Sequence, residues 1–279
     1  MDVLEPDPLA VLLAGASQAR EALATAIERA QGAHRTLVEG PLGAGHGRVA
    51  RALHRRAGLA EVPFAELHGD AEDTLERLLN GTLRGTVVVR RVERMRPDDQ
   101  VELASALDGP TRWTRLIATL EHDPGSHPRG DLDPDLDYQL GVTCVALPSL
   151  SERRDDVPAL AAAAVAAAAL EYGRSDIVLG PATLNRLREL PLRGELDELE
   201  LHLRLAVLSG DQAHLEPHDL PPHTLPPTPS GGRTLAEVER AHVESILRAT
   251  QGNRARAARE LGINRSTLYN KLRSWSGAE

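Results

Sequence analysis

The sequence predicts an α/β core built on a parallel sheet, then a helical segment, then an all-α helix-turn-helix module at the C-terminal end. Three observations carry this. Residues 15–150 alternate helical and strand patterns, the signature of a layered α/β fold with parallel strands. Residues 152–208 read as helices only. Residues 252–272 hold two short helical stretches around Gly262, an arrangement that can lay the second helix in a DNA groove.

The elements follow in order. Residues 17–31 form an amphipathic helix. Residues 36–39 are a short strand that runs into glycines, and residues 48–56 are a helix. A strand at 64–67 and a helix at 72–79 come next. In 85–90, Val87, Val88 and Val89 run together as a strand buried on both faces. A helix at 98–107 and a strand at 115–119 complete the alternation, and Cys144 in the apolar run 142–147 reads as a buried strand residue. Three helices follow at 157–172, 180–189 and 194–208. Residues 221–233 are rich in proline and glycine and read as a linker. The expected organisation is an α/β subdomain at 1–150, a helical subdomain at 151–220, the linker at 221–233 and the C-terminal module at 234–279.

Composition sets further bounds. A chain of 279 residues holds one sizeable core and a small module. One cysteine excludes a disulfide within the chain and fits the cytosol. Asp2, Glu5 and Asp7 stand where a secretion signal needs basic residues, so a cytoplasmic protein without a membrane segment is expected. The alanine-rich run 160–170 falls short of the about 20 residues needed to span a bilayer. The histidines lack metal-ligand spacing, so no metal is expected. The net charge is −9, yet residues 234–279 carry seven Arg and one Lys against five Glu, a net of +3. An acidic body joined to a basic end suits a regulatory domain attached to a nucleic-acid module.

That end contains Lys271, the only lysine of the chain. Ala257, Ala258 and Leu261 give the first helix a small apolar face, Gly262 stops it, and Asn264 is the N-cap expected for the second. Leu268 and Leu272 lie four apart on the buried side of that second helix. Arg254, Asn264, Arg265, Ser266, Thr267, Asn270, Lys271 and Arg273 are left as the candidate DNA-binding residues. The plain alternative is a small helical bundle with solvated arginines. The segment from Gly252 to Leu272 resembles the Fis-type DNA-binding domain, whose pattern GN-x-x-x-AA-x-x-LGI-x-R-x-TLY-x-KL it meets at every fixed position. The resemblance implies double-stranded DNA as partner. It also implies a homodimer paired through the preceding helix at 234–251, with an inverted-repeat operator.

Upstream, a strand, a glycine-rich turn and a helix have the layout of a phosphate-binding loop. A working loop reads GxxxxGK[ST]: the glycines aim backbone N–H groups at phosphate, the Lys reaches the β/γ oxygens and the hydroxyl holds Mg²⁺. Gly40, Gly43 and Gly45 are in place, but His46 stands at the Lys position and Gly47 at the hydroxyl position. A mostly neutral imidazole is a poor substitute for a fixed cation.

Residues 15–222 resemble the AAA+ core of the NtrC-like bacterial enhancer-binding proteins, the family whose members end in a Fis-type domain. The helix from Arg48 to His54 follows that family's xVARAIH pattern, and the stretch from Leu147 to Pro158 follows LPPLRERxEDIP. The resemblance places Arg90 and Arg91 at the Walker B Asp and Glu, within a stretch aligned with GTLFLDE. It places Leu120 at the sensor asparagine, Asp133 and Gln139 at the two arginines that reach a neighbouring subunit, and Asp197 at the sensor arginine. Two cations at a metal site repel the metal. The family's GAFTGA loop, which touches sigma-54, has no counterpart in residues 66–84, and the resemblance begins near Leu12, so no N-terminal sensory domain is expected.

These substitutions together predict no catalytic residues and no required cofactor, with residual ATP or ADP binding left open. The leading expectation is a sequence-specific transcription regulator with a silent AAA+ core, independent of sigma-54, that offers a surface to protein partners. An ATP-binding sigma-54-type activator with substituted site residues is the second expectation. A nucleoid-type architectural protein that bends DNA with little sequence preference is the third.

Overall fold

The computed structural model describes residues 7–59, 61–80, 85–109, 114–123, 128–174, 177–190, 192, 195–209, 214–217, 220, 254 and 268. The chain divides into two compact units, Met1–Thr224 and Leu225–Glu279.

In the first unit, five parallel strands form one sheet: β1 (Arg35–Pro41), β2 (Phe64–His68), β3 (Thr86–Arg90), β4 (Arg115–His122) and β5 (Cys144–Ala146), in the order β2-β3-β4-β1-β5. Helix α1 (Gln18–Ala30) precedes β1, and α2 (His46–Arg56), α3 (Thr74–Leu79), α4 (Pro97–Leu107) and α5 (Pro134–Gly141) connect successive strands. The sheet separates two hydrophobic cores, and the strands alternate between them with the period of two that a pleated strand requires. Val38, Val88, Ile117 and Val145 face the core containing Leu23, Ile27, Val49 and Leu53. Leu37, Val87, Val89, Leu116, Ala118 and Leu120 face the core containing Leu103, Leu107, Leu136 and Leu140. Both faces are covered, which is why the strands read as nearly unbroken apolar runs.

Arg115, 3% exposed, begins β4 and donates to the carbonyls of Ala30, Gln31 and Leu53 near the C-terminal ends of α1 and α2. Carbonyls at these helix ends carry the negative end of the helix dipole, and those of Ala30 and Leu53 accept from Arg115 beside the backbone N–H groups of Ala33 and Ala57. One buried guanidinium thus serves both helix ends.

The lid contains α6 (Val157–Glu171), α7 (Pro181–Glu189) and α8 (Glu195–Ser209). Ala161, Ala164 and Ala168 are buried on α6 and admit its neighbours closely. The expectation of helices alone at 152–208 needs correction: β6 (Val178–Leu179) falls within it and pairs in parallel with β7 (His214–Leu215), and Thr183 Oγ1 ties α7 to the Leu215 carbonyl at 2.6 Å. Cys144 is also corrected. It is half-buried rather than buried, because β5 is an edge strand, and its Sγ accepts from Arg129 at 3.5 Å. Among the described residues no helix is long and apolar enough to cross a membrane.

A clasp joins the segment before α1 to the start of the lid. Arg153 and Asp156, 2% and 3% exposed, form an ion pair at 3.1 Å. Arg153 donates onward to the carbonyls of Leu12 and Ala14. Asp156 accepts from the backbone N–H groups of Ala16 and Ser17 and from the Ser17 hydroxyl. Ser17 also N-caps α1. Gly15 is required here: its φ is +102°, and a Cβ would lie 2.3 Å from Asp156 Oδ1.

Candidate functional site

The carboxyl ends of β1, β3 and β4 meet the start of α2 and the first turn of α8. Gly43 and Gly45 adopt φ of +86° and +103°, the left-handed region that a glycine-rich turn uses to curl backbone N–H groups toward one point. Gly40 serves packing instead, since a Cβ there would come within 2.7 Å of Leu147 Cβ. Gly47 leaves room beside Arg90, whose Nη1 lies 3.6 Å from the place of its Cβ.

His46 opens α2 and is 2% exposed. Burial is the main cause that lowers its pKa to about 4. Arg90 and His122 add to that effect, while Glu121 and the Leu120 backbone oppose it. The imidazole is therefore neutral near pH 7, and its Nε2 has no protein hydrogen-bond partner. It does not reproduce the charge of a loop lysine.

Arg90, at the end of β3, donates from Nη2 to Glu121 Oε1 at 2.7 Å, and Thr119 Oγ1 donates to the same oxygen at 3.3 Å. Burial alone would raise the Glu121 pKa; the Arg90 hydrogen bond, the nearby His46 and the Thr119 hydroxyl outweigh it, and the carboxyl is held below its ordinary value. Arg91 has φ +57°, donates its N–H to Thr119 Oγ1 at 3.0 Å, and pairs with Glu93 at 3.8 Å. Burial pushes Glu93 upward. Two arginines thus meet two carboxylates, and the cluster balances its own charge.

The predicted loop and Walker B positions Gly40, Gly43, Gly45, His46, Gly47, Arg90 and Arg91 do come together. Sequence reasoning misses Glu121, which turns toward the loop where Leu120 does not. Leu120 shares the face of Leu116 and Ala118 in the second core, whereas Glu121 follows Ile117 and Thr119 toward the loop, opposite Gly40 in the register of β1. The period of two along β4 is the signal that could have found it.

The remaining positions do intrachain work. Asp133 N-caps α5, accepting from the N–H groups of Asp135 and Leu136. Gln139 accepts from Arg35 Nη1 at 3.0 Å and donates to the Ala104 carbonyl at 2.9 Å. Asp197, on the first turn of α8, lies within electrostatic reach of Arg48, Arg90 and Glu121. Among the described residues no group of three or more His, Cys, Asp or Glu side chains is arranged to hold a metal ion.

In the C-terminal module, Arg254 is helical and exposed and Leu268 is helical and buried. Asn264, Arg265, Ser266, Thr267, Asn270, Lys271 and Arg273 lie outside the described residues, as do the linker and the helix expected at 234–251.

Comparison with known proteins gives a consistent result. Residues 234–275 match the family described as bacterial regulatory protein, Fis family. The chain is similar to the DNA-binding transcriptional regulator NtrC of Salmonella typhimurium, 31% identical over 301 residues, covering 85% of this chain and 64% of that one. It is similar to the transcriptional regulatory protein ZraR of Escherichia coli, 29% identical over 274 residues, covering 85% and 62%. The chain therefore spans less than two thirds of the length of these relatives. NtrX from Brucella abortus, in its complex with ATP, shares the fold at a TM-score of 0.61 and 24% identity, covering 93% of this chain and 68% of that one.

Proposed function

Since the chain belongs to the NtrC-like family, with an AAA+ type core and a Fis-type helix-turn-helix module, we propose that it is a sequence-specific transcription regulator whose core is catalytically silent. The DNA-binding function rests on the Fis-type module at 234–275. The silent core rests on one observation above all: a neutral His46 and an Arg90 paired with Glu121 stand where the family resemblance puts the loop lysine and the metal-binding Asp. Phosphoryl transfer needs a metal and free cations together to stabilise developing charge. Here the cations are matched by carboxylates of the same chain.

In this reading the core is a platform for dimerisation or for protein partners, and the protein works in the cytoplasm without sigma-54 contact, because residues 66–84 carry no GAFTGA-like loop. No cofactor is required. A second reading, an ATP-binding activator with substituted site residues, draws support from the left-handed Gly43 and Gly45, which keep the turn of a phosphate loop.

The test is phosphate release by the purified protein with ATP and Mg²⁺, run beside footprinting on genomic fragments. Specific footprints without turnover are expected. Multiple turnovers would overturn the silent core, and binding that random competitor DNA abolishes would favour an architectural role.

A further inference from the structure

We infer that the lid is latched onto the loop framework by contacts within the chain, so that its position no longer depends on a nucleotide. The inference rests on the reading of this cleft as the former nucleotide site. Three contacts join the first turns of α8 to the loop and to α2. The Asp197 backbone N–H donates to the Gly43 carbonyl at 3.0 Å. Arg48 of α2 pairs with Glu200 of α8, their side chains 29% and 11% exposed. Leu196 covers Gly45, with Cδ2 3.7 Å from where a Cβ would stand. A further contact braces the lid itself: Glu195, at φ +52°, accepts from the Leu150 N–H just before the clasp of Arg153 and Asp156.

The charge arrangement leads to the same conclusion. Arg48 and Arg90 each have a carboxylate partner, Glu200 and Glu121. Asp197 adds a further negative charge within reach of both arginines. A polyphosphate entering here meets three carboxylates and must break an ion pair for each of these two cations that it gains. A ligand moves a conformational equilibrium only by its difference in affinity for the two states. With Arg48 engaged by the lid and Arg90 by Glu121 of β4, a nucleotide has little to offer the closed form over the open one. Asp197–Gly43 and Arg48–Glu200 join lid and loop directly, without a bridging ligand.

The experiment is hydrogen exchange of the full-length protein, followed in peptides covering 42–48 and 195–209, with and without ATP or ADP and Mg²⁺. Exchange in both peptides should be unchanged by either nucleotide. Arg48→Ala and Glu200→Gln should each speed exchange at 195–209 by about three- to tenfold, the loss expected for a partly shielded charge-assisted hydrogen bond. Exchanging the charges, Arg48→Glu with Glu200→Arg, should restore slow exchange, and it carries the test if a single variant does not fold. Nucleotide-induced protection of 195–209 in the unsubstituted protein would overturn the latch. So would wild-type exchange in folded Arg48→Ala, or a charge exchange that restores nothing. ATP turnover with no change at 195–209 would sink the silent-core reading and leave the latch standing; protection without turnover would do the reverse.

Discussion

Arg90 and Glu121 are paired at 2.7 Å across the carboxyl ends of β3 and β4, with the Glu121 side chain 3% exposed and the Arg90 side chain 29% exposed. Removing one member of such a pair leaves a charge without its partner. Glu121→Ala is expected to cost about 2 kcal/mol, less than a fully buried pair because solvent reaches Arg90. Replacing both, as Arg90→Leu with Glu121→Leu, should recover most of that loss. Urea unfolding of the single and double variants decides it, and a single variant as stable as the parent would show that the pair contributes nothing.

His46 links the same cluster to pH. Its pKa in the folded protein is about 4, with burial as the main cause, and its ordinary value is 6.5. Between those values the unfolded chain binds a proton that the folded chain refuses, so stability rises with pH. The contribution is complete above about 6.5 and is lost as pH falls through 4; it amounts to about 3 kcal/mol. Glu93, Glu195 and Glu200, raised by burial, slope the other way. The difference in unfolding free energy between the parent and His46→Gln cancels them. That difference should change by about 3 kcal/mol between pH 6.5 and 4, and a flat difference would mean that His46 titrates normally.

The clasp gives a third expectation. Gly15→Ala would place a methyl 2.3 Å from Asp156 Oδ1 at a φ of +102°. Asp156→Ala would strip acceptors from Ala16, Ser17 and Arg153. Each should destabilise by about 2–4 kcal/mol. The two share one cause, so the double variant should cost clearly less than the sum, since the added methyl no longer meets a carboxylate. Thermal unfolding of the four proteins checks this, and strict additivity would separate the two residues.

How much of this is legible in the sequence depends on the length and symmetry of each signal. The valines of β3 and the loop glycines announce themselves because a doubly covered strand and a left-handed turn each demand few residue types. The end of β4 does not. Glu121 and His122 interrupt the apolar run, so the sequence pattern stops the strand at 119 and leaves Glu121 out of the sheet. β6 and β7 have two residues each, too short to show a period. The latch is invisible for another reason: Arg48 and Glu200 are far apart in sequence, and an arginine and a glutamate on two helices look like ordinary solvated charges until the fold joins them.

For the C-terminal module, Arg265→Ala combined with Lys271→Ala is expected to abolish specific binding while the first unit stays folded. Each lost base contact costs about 1–3 kcal/mol. The motive is the spacing of both residues against Leu268, which is buried in a helix. Footprinting titration at fixed salt is the measurement, because phosphate contacts vary steeply with ionic strength. Unchanged affinity for the cognate site would show that another element reads the DNA.

The last expectation concerns assembly. The segment 234–251 carries Leu235, Val238, His242, Ile246 and Leu247 at helical spacing, more apolar surface than one short helix-turn-helix covers. Two-fold pairing of that stripe buries it and sets two recognition helices about one helical turn apart, which calls for an inverted-repeat operator. The first unit lacks the means that the family resemblance assigns to ring assembly. Asp133 is spent on capping α5 and Gln139 on Arg35 and Ala104, so neither reaches outward as a cation. The full-length protein should therefore sediment as a dimer, and a chain ending at Pro222 as a monomer. A nucleotide-dependent hexamer would show that the core still assembles through its old site. A full-length monomer bound to a single half-site would show that the stripe packs elsewhere, and in that case the inverted repeat goes with it.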